Sequence, residues 1–98
     1  MDVPILMHEK NNFEIFHILV NHEYEAKDIL LKLKSTEQFS DFAKKHSKCS
    51  SAKMGGALGI FKRGRFVETF EEACEILAPN QISKPVRTQF GWHLILKR

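Results

Sequence analysis

Two histidines lie where histidines are scarce, inside apolar strands. His17 sits within Phe13-Glu14-Ile15-Phe16-His17-Ile18-Leu19-Val20 and His93 within Gly91-Trp92-His93-Leu94-Ile95-Leu96. A buried imidazole must find partners for both ring nitrogens, because an unpaired buried polar group is costly. If the two strands are neighbours, the rings can bond one another, with Thr88 or Cys49 nearby as a further partner. Such a pair fits two uses, a polar centre beside a reacting group or a structural knot in the core, and the pattern alone does not choose. Cys49 stands in a small, polar loop between Ser47 and Gly56. Lys45, Lys48 and Lys53 near it favour a thiolate, although a free cysteine is more often a small buried hydrophobe. Cys74 falls on an apolar helical stripe and is expected in the core.

Other chemistries find less support. The run Gly55-Gly56-Ala57-Leu58-Gly59 lacks a following Lys-Ser/Thr pair and opens a strand, which argues against a phosphate loop. His17, Cys49, Cys74 and His93 lack the paired spacing of a zinc site, so no metal and no other cofactor are expected. Phe66 and Phe70 follow the basic turn Lys62-Arg63-Gly64-Arg65. Phe70 lies on a helical stripe and fits the core, whereas Phe66 precedes the helix and is free to face a pocket.

The elements that would position these residues are legible from periodicity and turn signals. After the first strand, Asn21 can cap a helix with Ala26, Ile29, Leu30 and Leu33 on one face. Ser35 and Gln38 form a capping box for a second, with Phe39, Phe42, Ala43 and His46 inward. A polar loop leads to a short strand, Leu58 to Phe61. Thr69 and Glu72 form another capping box, opening a helix with Phe70, Ala73, Cys74 and Leu77 on one face and ending at Pro79-Asn80. An extended piece from Val86 to Gln89 bends through Phe90-Gly91 into the closing strand. There His93 and Ile95 share one face and Trp92, Leu94 and Leu96 the other, which places the strand mid-sheet. The expectation is an α+β domain over residues 13–98 with a small antiparallel sheet. Residues 1–12 read as a tail or edge segment with His8 exposed and inert.

At 98 residues the chain has room for one domain and one core. Its net charge of +3 is mild and its basic residues are spread out, so no nucleic-acid partner is expected. No apolar run approaches a membrane span, and Met1 to Met7 lack the basic start and apolar core of a secretory signal. Two cysteines without a CxxC pattern point to a reducing compartment. A cytoplasmic monomer, with no membrane partner, is the expectation.

Six pieces in order carry a resemblance: His17-Ile18-Leu19-Val20; Phe39 through Ala43 to Ser47; Cys49; Gly55-Gly56-Ala57-Leu58-Gly59; Phe66-Val67-Glu68-Thr69-Phe70; and Thr88-Gln89-Phe90-Gly91-Trp92-His93. Together they make the chain resemble the parvulin-type peptidyl-prolyl cis-trans isomerases over residues 13–98. The resemblance implies a four-stranded antiparallel sheet surrounded by helices. Implied partners are proline-containing peptides and unfolded or nascent proteins. By position, His17 and His93 would be the tandem histidines, with Thr88 in their network and Cys49 where the family places a cysteine or an aspartate. Leu58, Phe66 and Phe70 would line the proline pocket, with Phe90 at its rim. Ala57 departs from the acidic residue usual there, and Phe66 from a common methionine.

The phosphate-directed branch carries an arginine-rich loop after the first strand, and here that connection is Asn21-His22-Glu23-Tyr24-Glu25, which is acidic. An uncharged or apolar residue before proline is therefore expected, contacted by Phe90 and Met54. The rival readings are a non-catalytic peptide-binding or chaperone module on the same fold, and a thiol hydrolase using Cys49 and a histidine.

Overall fold

The structure, a computed structural model, describes residues 13–98; the expected tail and His8 lie outside the described residues. Four strands, β1 (Glu14–Val20), β2 (Ala57–Ile60), β3 (Val86–Thr88) and β4 (Gly91–Lys97), form one antiparallel sheet in the order β2-β1-β4-β3. Three helices, α1 (Glu23–Lys32), α2 (Phe39–His46) and α3 (Glu68–Ile76), cover it, with 3₁₀ turns at Thr36–Gln38 and Ser50–Met54. This is the expected α+β arrangement, with the two histidine-bearing strands at the centre.

Strand alternation sorts the core into two layers. Ile18 and Val20 of β1 join Leu94 and Leu96 of β4 against Ala26 and Ile29 of α1 and Phe39 and Ala43 of α2. The opposite face sets Ile15 and Ile95 against Phe70 and Cys74 of α3, with Phe13, Phe61 and Leu77. The pairing of β2 to β1 runs Ile15↔Gly59 and then Phe16↔Ala57, so Leu58 is the extra, unpaired residue of a β-bulge. A bulge bends its strand and re-aims its side chains, and Leu58 packs with the α3 layer.

The helix starts differ from their expected caps. The N-cap of α1 is His22, not Asn21: the Glu25 carboxylate accepts the His22 N–H at 3.0 Å, and the His22 ring stacks on Tyr24. Gln38 reaches past Ser35 to accept the Lys34 N–H at 2.8 Å, so a 3₁₀ turn intervenes and α2 starts only at Phe39. Helix α3 starts at Glu68 with Val67 as cap, which leaves Thr69 inside the first turn. His46 is exposed, because the chain peels away after it and Lys48 N–H donates to Leu19 O. The second strand begins one residue early, at Ala57, and Phe61 follows it, stacked on Phe13 at 5.0 Å.

Gly56 ties the Ser50–Met54 turn to β1. Its carbonyl accepts the His17 N–H at 2.9 Å, its own N–H donates to Ser51 O, and its φ is +85°. A Cβ at this position would run into the His17 carbonyl oxygen. Gly59 has a similar φ of +87° but open space around it. In chemical denaturation Gly56→Ala is expected to lose about 2–4 kcal/mol from combined strain and overlap. Gly59→Ala, with strain alone, is expected to lose only about 1–2 kcal/mol.

Candidate active site

The register of β1 with β4 pairs Leu19 with His93 and His17 with Ile95, so the two histidines are diagonal neighbours on one sheet face. Their Nδ1 atoms lie 3.1 Å apart and the rings are stacked at 21°. Ser51 Oγ is 3.2 Å from His17 Nε2, and Thr88 Oγ1 is 2.7 Å from His93 Nε2. Every ring nitrogen is therefore engaged. One of the facing Nδ1 atoms donates and the other accepts, so the donors run in a single direction along Ser51–His17–His93–Thr88. Thr88 Oγ1 also accepts the Phe90 N–H at 3.2 Å, which fixes the β3–β4 turn to the end of this line.

Both rings are neutral at pH 7. Burial lowers the pKa of His17 from 6.5 to about 4, with repulsion from His93 adding to it, and burial lowers His93 to about 4. Phe70 meets both rings edge-on, at 5.7 Å from His17 and 5.1 Å from His93. Above this floor opens a cavity of about 470 Å³. Of the residues expected in the site, His17, His93, Cys49, Leu58, Phe66, Phe70 and Phe90 line it. Phe90 is 61 % exposed and stands at the rim.

Two placements, those of Met54 and Cys49, differ from expectation. Met54 is exposed at the end of its 3₁₀ turn and is not among the cavity-lining residues, because the left-handed Gly55 turns the chain there. Thr88 joins the histidine pair as expected, from behind His93 and without lining the cavity. Cys49 lines the cavity but bonds neither imidazole; the partner of His17 is Ser51, two residues on, brought in by the 3₁₀ turn. Cys74 is in the core, where burial raises its thiol to about 12.

Glu71 was not anticipated at all. It is almost fully buried, yet a helical position amid Glu68, Glu72 and Glu75 reads as a solvated face. One carboxylate oxygen accepts from Arg63 Nη1 at 2.8 Å, and the other from Gly64 N–H at 2.7 Å and Phe66 N–H at 3.0 Å. The Phe66 N–H bond foremost, with Gly64 and Arg63, holds this carboxyl below the usual range against the opposing effect of burial.

An apolar cup beside two neutral imidazoles suits an apolar ring joined to an amide. The family profile described as rotamase, PPIC-type PPIase domain, matches residues 17–98. A probable parvulin-type peptidyl-prolyl cis-trans isomerase of Bordetella pertussis is 45% identical over 89 residues, covering 88% of this chain and 34% of that protein. The foldase protein PrsA of Bacillus subtilis is 44% identical over 89 residues, covering 90% of this chain. The chain spans only 30% of that foldase's length. The solution structure of NmPin, the parvulin of Nitrosopumilus maritimus, superposes with a TM-score of 0.80 at 42% identity, covering 89% of this chain and 95% of that one. The chain belongs to the parvulin, or PPIC-type, family and forms a peptidyl-prolyl cis-trans isomerase domain.

The depressed histidine pKa values give stability a definite pH dependence. Between the folded value near 4 and the ordinary 6.5, the unfolded chain binds protons that the folded site refuses. Stability is then full above the unfolded value and falls as pH drops, by up to about 1.4 kcal/mol per pH unit for each ring. Denaturation curves from pH 7 to 4 measure the loss, and ring-proton titration should show both imidazoles still neutral at pH 6.

Proposed function

We propose that this domain accelerates X-Pro rotation without covalent chemistry, seating the proline ring on Phe70 between Leu58 and Phe66. Rotation must break amide resonance against about 18–20 kcal/mol, and an X-Pro bond interconverts unaided in tens to hundreds of seconds. No bond to a heavy atom need be made, so the enzyme acts by favouring the twisted amide over both planar forms. The twisted amide has less charge separation than the planar one. A dry, apolar wall penalises it less than water does, and holding the ring still lets the preceding carbonyl turn. The single observation that carries this reading is the cavity lining: apolar side chains over Phe70, with two uncharged imidazoles and the Cys49 thiol on one side and Arg65 the one charged residue of the lining. Removing the histidine charges keeps that side from favouring the planar, polar amide.

Cys49 sets polarity and is not a nucleophile in this scheme. A thiol attack needs a base to take its proton, and the outer nitrogen of His17 is already occupied by Ser51. The residue before proline is uncharged or apolar and meets Phe90. The connection from β1 to α1 carries Glu23 and Glu25 and no arginine, so it offers a phosphoserine before proline no cationic anchor. Proline-containing segments of unfolded or nascent proteins are the proposed clients.

A protease-coupled prolyl peptide assay tests the scheme. Phe66→Ala and Phe70→Ala are expected to lower kcat/KM at least about tenfold, equivalent to ~1.4 kcal/mol of lost transition-state preference. Cys49→Ala should keep most of the activity; complete loss would instead indicate thiol chemistry. Phosphoserine-proline peptides should turn over more slowly than their serine counterparts, and faster turnover would overturn the assignment of the preceding residue.

A further inference from the structure

Gly64, Arg65, Phe66 and Val67 form a continuous stretch of the cavity lining, in the segment between β2 and α3. A loop wall of this kind is normally the least fixed part of a site. Here it is held from behind by one side chain. Glu71 lies outside the cavity lining, is 2 % exposed, and takes the N–H groups of Gly64 and Phe66 on one oxygen. Its other oxygen takes Arg63 Nη1, and Arg63 Nη2 continues to Glu75 at 3.0 Å. Glu71 is also the residue after Phe70, whose ring is the cavity floor and lies 5.1 Å from that of Phe66. One turn of α3 thus supplies the floor directly and pins the wall through its neighbour.

We infer that Glu71 is a positioning residue that sets the width of the proline cavity, by fixing the Gly64–Phe66 backbone so that the Phe66 ring stands at a set distance from Phe70. The inference rests on the isomerase reading above and assigns ring-size selectivity to a residue that never touches substrate. Three donors converge on two carboxylate oxygens, and charge-assisted bonds of this kind are about twice as strong as neutral ones. An amide in place of the carboxylate removes the charge that strengthens all three bonds and turns its NH2 group toward either Arg63 or the Gly64–Phe66 pair, so the hold on the wall weakens even where both backbone bonds persist. The wall then relaxes while Phe70 stays in place, and the cavity accepts a larger ring.

The test compares X-Pro peptides with counterparts carrying the six-membered pipecolyl ring, assayed on wild type and Glu71→Gln. One extra methylene in a fitted apolar pocket is worth about tenfold or more in kcat/KM. The wild type should discriminate to that extent, and the prolyl-over-pipecolyl ratio should fall at least about threefold in Glu71→Gln. Amide hydrogen exchange at Gly64 and Phe66 should quicken in the same variant. Partial unfolding lowers both rates alike and leaves the ratio unchanged, so a purely structural role for Glu71 predicts no shift. Arg63→Gln, which removes one partner from the carboxylate and keeps both backbone bonds, should give a smaller fall, and it decides the matter alone if Glu71→Gln does not fold. An unchanged ratio overturns the inference. A wild type that isomerises neither peptide overturns the isomerase scheme instead.

Discussion

The structure depends on a hydrogen-bond constraint: two imidazoles facing at 3.1 Å inside a sheet must each find a partner for the outer nitrogen. Neither strand can supply those partners. Ser51 arrives on the 3₁₀ turn after α2, and Thr88 from the end of β3, so two separated chain segments close on the pair. The approach of the Ser51 turn is possible only because Gly56 lets its backbone lie against that of His17. The tight β3–β4 turn, in turn, is fastened by Phe90 N–H on Thr88. Satisfying two ring nitrogens therefore organises the whole upper face of the sheet, and it does so without introducing a charge.

The two core layers divide the work. The layer under α1 and α2 is closed, with Ile18, Leu94, Phe39 and Ala43 fully buried. The layer under α3 is complete near Ile15, Ile95 and Cys74 but opens toward Phe66 and Leu58, which are only partly buried. The cavity is thus a place where core packing stops short, floored by a core residue, Phe70. A floor that also packs the domain is rigid because interiors are close-packed. For a reaction whose transition state differs from the ground state by a rotation, rigidity of the site is the useful property.

The sheet, the helix stripes and the pairing of His17 with His93 were legible because they follow from period-two and period-3.6 patterns with strong apolar contrast. The caps were not. Asn21, Ser35 and Thr69 are good cap residues, yet His22, Gln38 and Val67 occupy those places. Side chains that reach across several residues, Glu25 to His22 and Gln38 to Lys34, decided the helix starts, and such reach depends on backbone path as much as on residue type. The choice of Ser51 over Cys49 for His17 turned on a 3₁₀ turn whose phase no local signal fixed. Glu71 was hidden for a simpler reason. Its two bonded amides come from backbone, and a backbone donor leaves no mark in a sequence.

The departure at Phe66 and the burial of Glu71 belong together. A methionine at such a wall adapts through three rotatable bonds and fills what space it finds. A phenylalanine has two torsions and a flat, stiff ring, so the place of its backbone largely sets the place of its face. In this chain the Phe66 ring tilts at 40° over Phe70, a geometry that a drift of its backbone would spoil. Holding the Phe66 N–H on a buried carboxylate, with Gly64 held by the same oxygen, supplies the definition that a rigid side chain demands. The acidic residue missing at Ala57, on β2, lies in a strand already registered by the Leu58 bulge. The carboxylate that this cavity depends on comes from α3.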